Sequence, residues 1–242
     1  MKNITLMEML KAGVHFGHKK SLWNPKMAPY IFTTRNNIHI FDLEKTKKKL
    51  MEALQFASDT AFRGGTILFV GTKRQAKDAV RKAAEACGMP YVVERWLGGT
   101  FTNFRTIQRT IKKMEKYEKM TESGEISKYT KKEQLMIKRE IEKMKLFFSG
   151  VREMKKLPDA IFVFDVKYDN IPVKEASASK VKVVGLVDTN ADPSLVDYVI
   201  PSNDDAIKVI EFMGTALSEA INEGKSKAAA AVMVSEQAAI AE

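Results

Sequence analysis

The strongest constraint on this chain is a set of five short apolar runs: Thr66-Ile-Leu-Phe-Val-Gly71, Tyr91-Val-Val93, Ala160-Ile-Phe-Val-Phe-Asp165, Val181-Lys-Val-Val-Gly-Leu-Val-Asp188 and Tyr198-Val-Ile-Pro201. They are rich in β-branched and aromatic residues, bounded by Gly, Asp or Pro, and mostly continuous rather than alternating. A strand with one wet face alternates apolar and polar residues, whereas a strand covered on both faces has no polar side to show. The runs therefore read as strands of a parallel sheet. Helix-like stretches separate them: residues 73–87, stopped by Gly88 and Pro90, residues 171–179, and residues 204–223, stopped by Gly224. Parallel neighbours need crossover connections, so the alternation predicts a doubly wound α/β sheet of about five strands.

Two parts break this rhythm. The N-terminal extension has a short helix over residues 5–11, an irregular basic loop with His15-Phe-Gly-His18 and Trp23-Asn-Pro-Lys26, and a hairpin over residues 30–41. The hairpin turns at Asn36-Asn37, two residues of a type that tolerates positive φ. The second part, residues 104–156, holds two long charged helices around Thr121-Glu-Ser-Gly124. Phe104, Ile107, Ile111 and Met114 in the first, and Ile137, Ile141, Met144, Phe148 and Val151 in the second, recur at three- and four-residue spacings. A narrow apolar seam with charged outer faces predicts an inserted α-helical coiled-coil hairpin projecting as an arm. Residues 1–224 are expected to make a single α/β domain, and the Ala-rich residues 225–242 a flexible tail.

Charge is divided unevenly along the chain. Residues 1–50 carry ten Lys/Arg against three Asp/Glu, and residues 105–156 sixteen against eight; residues 157–242 carry seven against fourteen. Cations thus fill the first two-thirds and acids the last third, which points to a polyanionic partner met by one part of the molecule. The single cysteine, Cys87, excludes an internal disulfide and fits a reducing compartment. No run approaches eighteen apolar residues, and the N-terminus lacks an apolar signal core. The chain is expected to be cytoplasmic, without a membrane partner.

Signals for enzyme chemistry are thin. Phe69-Val-Gly-Thr-Lys-Arg-Gln75 leads from a strand into a helix, where α/β folds cradle phosphates, yet its one glycine meets neither the dinucleotide fingerprint nor the P-loop spacing. Thr72 as a helix N-cap, with Lys73 and Arg74 in the first turn, can grip an isolated phosphate, or the segment is an ordinary surface turn. His15 and His18 lack the Cys/His partners of a closed zinc site. Asp188, Asp204 and Asp205 follow strands and can supply oxygen ligands if the fold gathers them, although hydrogen-bonded histidines account for the pattern as well. The carboxylates Asp165, Asp188, Asp192, Asp197, Asp204 and Asp205 fall at strand ends, the site of a catalytic crevice in an enzyme, but also where caps and turns are made. No serine or cysteine has the context of a nucleophile. Catalysis, cofactor, metal and small-molecule substrate are therefore not expected.

The nucleic-acid reading uses other residues. Arg95-Trp-Leu-Gly-Gly-Thr-Phe-Thr-Asn-Phe-Arg105 combines two arginines, a tryptophan and hydrogen-bonding side chains around Gly98 and Gly99, which permit close backbone approach. His18-Lys-Lys-Ser-Leu-Trp-Asn-Pro-Lys26 has similar content. Trp23 and Trp96 either stack on bases or anchor their loops to the core.

Taken in order, Leu10-Lys-Ala-Gly-Val-His-Phe-Gly-His18, Trp23-Asn-Pro-Lys-Met27, Leu68-Phe-Val-Gly-Thr-Lys73, Arg95-Trp-Leu-Gly-Gly-Thr100, Thr102-Asn-Phe104, Asp188-Thr-Asn190, Asp192-Pro193 and Ile200-Pro-Ser-Asn-Asp-Asp-Ala206 resemble the bacterial ribosomal protein S-two family over almost the whole chain. The chain departs from the family at residues 165–170, without the usual His and Glu, and at Ala191, a frequent Cys. The resemblance implies a flavodoxin-like α/β domain carrying a coiled-coil hairpin, docked on small-subunit ribosomal RNA beside neighbouring ribosomal proteins. It also implies a role in joining the large S-one protein to the subunit. On that reading the residues expected at RNA are Lys19, Lys20, Lys26, Arg35, Lys73, Arg74, Arg95, Arg105, Arg109, Lys112 and Lys113.

Overall fold

A computed structural model describes the chain from residue 4 to residue 240, with side chains to residue 231. The N-terminal extension contributes α1 (Leu6–Ala12), β1 (Phe16–Lys19), β2 (Ile31–Arg35) and β3 (Ile38–Phe41), followed by α2 (Leu43–Phe62). Then come β4 (Ile67–Val70), α3 (Lys77–Cys87), β5 (Tyr91–Val92), α4 (Phe104–Glu122) and α5 (Lys131–Phe148). The last part comprises β6 (Ala160–Val163), α6 (Asn170–Ala178), β7 (Lys182–Val187), β8 (Tyr198–Pro201) and α7 (Ile207–Ile240).

The five apolar runs form one sheet in the order β5-β4-β6-β7-β8, every pair parallel. Ranked by sequence this is the 2-1-3-4-5 order of a flavodoxin-like sheet, with its switch point between β4 and β6. Successive residues of each strand serve opposite cores. Ile67, Phe69, Phe162, Phe164 and Leu186 pack with α2, α3 and α7. Leu68, Val70, Ile161, Val163 and Val183 pack with α6, with Met27 and Phe41 of the extension, and with the hairpin.

α4 and α5 are successive helices that pack on each other. Ile111, Met114, Ile141, Met144 and Phe148 are buried along it, and ion pairs cross between the helices from Lys113 to Glu140 at 2.7 Å and from Lys145 to Glu118 at 3.0 Å. Its root does more than project. Ile111, Met114, Met144 and Phe148 belong to the same buried cluster as Leu68, Val70, Ile161 and Val163 of the sheet. A sequence seam shows that two helices pair; it carries no information about a third surface that the same residues touch.

The structure differs from the local expectations at three places and adds one helix. Residues 16–19 are not irregular loop but strand β1, paired antiparallel with β3; a Cβ at Gly17 would lie 2.7 Å from the Thr189 methyl, so only glycine lets this strand approach the β7 end. The helix after β4 starts at Lys77 rather than residue 73, with Ala76 at its cap position. α2, an element without a sequence-based expectation, buries Thr46, Leu50, Ala53, Leu54 and Ala57 on one face, and Asp42 caps it, accepting from the Glu44 and Lys45 amides at 3.1 and 3.3 Å. Lastly, Gly224 does not stop α7, which continues to Ile240. The expected tail is therefore helical in its backbone through residue 240, and residues 241–242 lie outside the described residues.

Gly224 has a packing role. A Cβ there would collide with the Ser58 carbonyl oxygen on α2 and lie 3.1 Å from Ala61 Cβ. In an exposed helix Gly→Ala stabilises by roughly 1 kcal/mol through propensity. Here the close α2–α7 approach reverses the sign, so Gly224→Ala is expected to destabilise by about 1–3 kcal/mol in urea unfolding. A gain in stability would show that this contact is not tight.

Candidate nucleic-acid interface

The switch point of a doubly wound sheet is where such folds place ligands. In this chain it holds charges of its own. Lys73, following β4, sends its ammonium to Asp165 after β6 at 2.9 Å, to Asp205 at 2.6 Å and to Asp204 at 3.4 Å. Burial alone would lower the pKa of this ammonium, but the hydrogen bonds to Asp165 and Asp205 reverse the effect and hold it above the ordinary lysine value. Asp204 is pushed up to about 8, first by burial and then by the neighbouring Asp165 and Asp188 carboxylates. A cavity of about 410 Å³ opens beside them, lined by His18, Lys73, Asp165, Lys167, Tyr168, Asn190 and Asp204.

His18 joins the N-terminal extension to this cluster. Its Nδ1 lies 3.0 Å from Asp188 Oδ2 and its Nε2 3.3 Å from Asp205 Oδ2. The Asp188 carboxylate beside the ring raises its pKa. The Asp188 contact has the distance of an ion pair without hydrogen-bond alignment, which leaves the buried Oδ2 formally without a hydrogen bond. His18, Asp188 and Asp204 offer ligand atoms within 4.8 Å of one another, a nitrogen-and-oxygen donor set of the kind that can hold a divalent cation. His15 stands apart, its Nδ1 buried without a partner.

Thr72 is not a helix cap. Its amide and hydroxyl both donate to Asp169, at 3.0 and 2.6 Å, so the turn after β4 is tied to the segment after β6. Lys73 and Arg74 consequently precede the helix instead of sitting in its first turn, and the dipole argument for a phosphate there lapses.

The Arg95–Arg105 loop is held from below. Trp96 is 7% exposed, packs edge-on against Phe101 at 5.0 Å and donates its indole N–H to Glu175 at 3.3 Å. It is an anchor, not a stacking platform. Trp23 is partly open at 37% exposure and lies 5.3 Å from the His39 ring. Gly99 has φ +90°, the left-handed conformation that favours glycine.

Of the residues expected at RNA, Lys19, Lys20, Lys26, Arg35, Arg74, Arg95, Arg105, Arg109, Lys112 and Lys113 are exposed. Lys26 pairs with Asp192 at 2.9 Å and Lys113 with Glu140 at 2.7 Å; both pairs are exposed and weak competitors for a phosphate. Lys73 differs, with its side chain 16% exposed and three carboxylates around it. The residues that sequence reasoning missed are Asp169 and Glu175, buried anions whose partners are backbone and hydroxyl groups far away in sequence.

Asp169 allows a pH test. Burial raises its pKa from 3.8 to about 6, only partly offset by the Thr72 hydrogen bonds. The folded chain therefore keeps a proton that the unfolded chain releases. The stabilising contribution is full below 3.8 and is lost as the pH rises through about 6. Asparagine can accept from the Thr72 amide and donate to its hydroxyl with no buried charge. Asp169→Asn is expected to be more stable than the parent at pH 8 by roughly 1–3 kcal/mol and to lose that advantage at pH 4. An unchanged difference between the two pH values in denaturant titrations would rule this out.

No helix among the described residues is long and apolar enough to cross a membrane. The family model for ribosomal protein S2 matches residues 9–224, a span that includes the N-terminal extension, the sheet and the inserted hairpin. The chain belongs to the ribosomal protein S2 family, and is a structural protein of the small ribosomal subunit rather than an enzyme.

Proposed function

We propose that this chain holds folded ribosomal RNA within the small subunit through its N-terminal loops, the Arg95–Arg105 loop and the helical arm, and helps to dock the large S-one protein. One observation carries the reading. Among the described residues, Lys19, Lys20, Arg35, Arg74, Arg95, Arg105, Arg109 and Lys112 are exposed and make no ion pair with the chain's own carboxylates. Charges left facing water without partners are available to phosphate oxygens, whose neutralisation releases condensed counterions. Lys73 is left out of this set because its charge is already met internally.

The chemistry is electrostatic and shape-based. Phosphate contacts position the protein, and neutral groups such as Thr102 and Asn103 beside Arg105 fix register on sugar and phosphate. Engagement of six phosphates gives a log–log salt slope of about −4 to −5. The acid-rich last third, with seven Lys/Arg against fourteen Asp/Glu, is left for a protein partner. The arm is read as a coiled coil whose charged flank meets RNA. Its exposed Leu135, Met136 and Leu146 favour a second reading, in which the hairpin docks protein alone.

Co-sedimentation with small subunits at low and high salt separates the two. Reversing Lys112, Lys113 and Lys116 together is expected to lower occupancy and to reduce the magnitude of the salt slope by about 2–3. Unchanged occupancy in competition with the parent chain removes the arm from the RNA interface. Occupancy that falls with the same salt slope marks the arm as a protein contact.

A further inference from the structure

We propose that Glu175 is the positioning residue of the Arg95–Arg105 loop: its buried carboxylate, carried by α6, sets the backbone from which Arg95 and Arg105 reach RNA. The inference rests on the proposed RNA-binding reading and names the part that makes this surface competent.

Glu175 Oε1 accepts from the Gly99 amide at 2.7 Å and from the Trp96 indole at 3.3 Å. Oε2 accepts from the Phe101 amide at 2.9 Å and, at longer range, from the Thr102 amide at 3.4 Å and the Thr102 hydroxyl at 3.5 Å. Both oxygens are therefore engaged by one seven-residue stretch of loop, residues 96–102. Among the described residues no lysine, arginine or histidine pairs with this buried anion, so its charge is met by N–H and O–H dipoles alone. A salt bridge would have held one side chain. A carboxylate at the focus of several backbone amides instead fixes the path of the chain, including the left-handed Gly99.

The outward side of the same loop is where the cations lie. Arg95, Gly98, Thr102, Asn103 and Arg105 are exposed, while Trp96, Thr100 and Phe101 are buried. One set of loop residues thus faces a buried anchor and another open solvent, the arrangement needed to preorganise polar contacts on a loop. Glutamine is close to isosteric with glutamate but offers one acceptor and one donor where two acceptors are needed. It sets an N–H against an N–H on one side of the focus.

The test uses the full chain and small ribosomal subunits stripped of this protein. Glu175→Gln is expected to release hydrogen-exchange protection at Gly99, Phe101 and Thr102 while the sheet amides stay protected. The salt slope of subunit binding is expected to shrink by about 1.4–1.8, two contacts at 0.7–0.9 each. Arg95→Ala with Arg105→Ala is expected to give the same loss in the parent chain and no further loss in the Glu175→Gln chain. A Glu175→Gln chain with the parent slope, or with a slope that falls again by the full amount when the arginines are removed, overturns the positioning role. Arginine changes that leave the parent slope untouched show instead that the loop is not at RNA, and defeat the RNA assignment of this loop itself. Where Glu175→Gln fails to fold, Trp96→Phe removes one donor and keeps the edge-on contact with Phe101; a smaller fall in slope is expected, and no fall overturns the proposal.

Discussion

A parallel sheet that is apolar on both faces has to be covered twice, and most of this structure follows from how the second cover is made. The first is conventional: α2, α3 and α7 bury Phe69, Phe162, Phe164 and Leu186. On the other face α6 supplies little beyond Val173 and Ala176. The remaining apolar surface, Leu68, Val70, Ile161 and Val163, is closed by elements from outside the βα rhythm: Met27 and Phe41 from the N-terminal extension, Trp96 and Phe101 from the loop, and Ile111, Met114, Met144 and Phe148 from the hairpin root. These are the segments that carry the exposed cations. The segments proposed to meet RNA are therefore also part of the roof over this face of the sheet.

The same geometry fills the crevice at the switch point with the chain's own charges. In a flavodoxin-like sheet the ends of β4 and β6 diverge and leave polar backbone to be satisfied. Here Lys73 meets Asp165 across the gap, Thr72 is held by Asp169, and His18 reaches in from β1 to Asp188 and Asp205. The cluster joins the extension to the sheet through charge, at a place where no apolar contact is available.

How much of this was legible follows from what periodicity can encode. Continuous runs such as Ala160–Phe164 report burial on both faces, and all five strands of the sheet are readable from them. The Asn36-Asn37 turn is equally plain, with φ of 51° and 62°. The seam of the hairpin was visible in Ile111, Met114, Ile141 and Met144, but not its contact with the sheet. What stayed hidden depended on partners distant in sequence. Gly224 looks like a helix stop until Ser58 is placed against it. Thr72 looks like a cap until Asp169 captures it. Glu175 is an ordinary polar position on a short helix, and nothing local marks it as the focus of a loop some seventy residues earlier.

The position of the hairpin in the chain follows from sheet topology. β5 is an edge strand, and the next strand in sequence, β6, lies on the far side of β4. The connection must cross β4, and it does so on the face where Leu68 and Val70 are still uncovered. A long insertion in that crossover meets the sheet at its root whatever happens at its tip. Lengthening it is cheap in entropy, since each doubling of a loop adds only about 0.6 kcal/mol to closure. Elsewhere in the sheet the crossovers are short: α3 lies between β4 and β5, α6 between β6 and β7, and a single turn between β7 and β8. The β5–β6 crossover combines an uncovered face with a long path, and the loop from Arg95 to Arg105 is its first segment. That explains why the loop, the arm and the anchor on α6 occur together: all three answer the need to close the second face above β4 and β6.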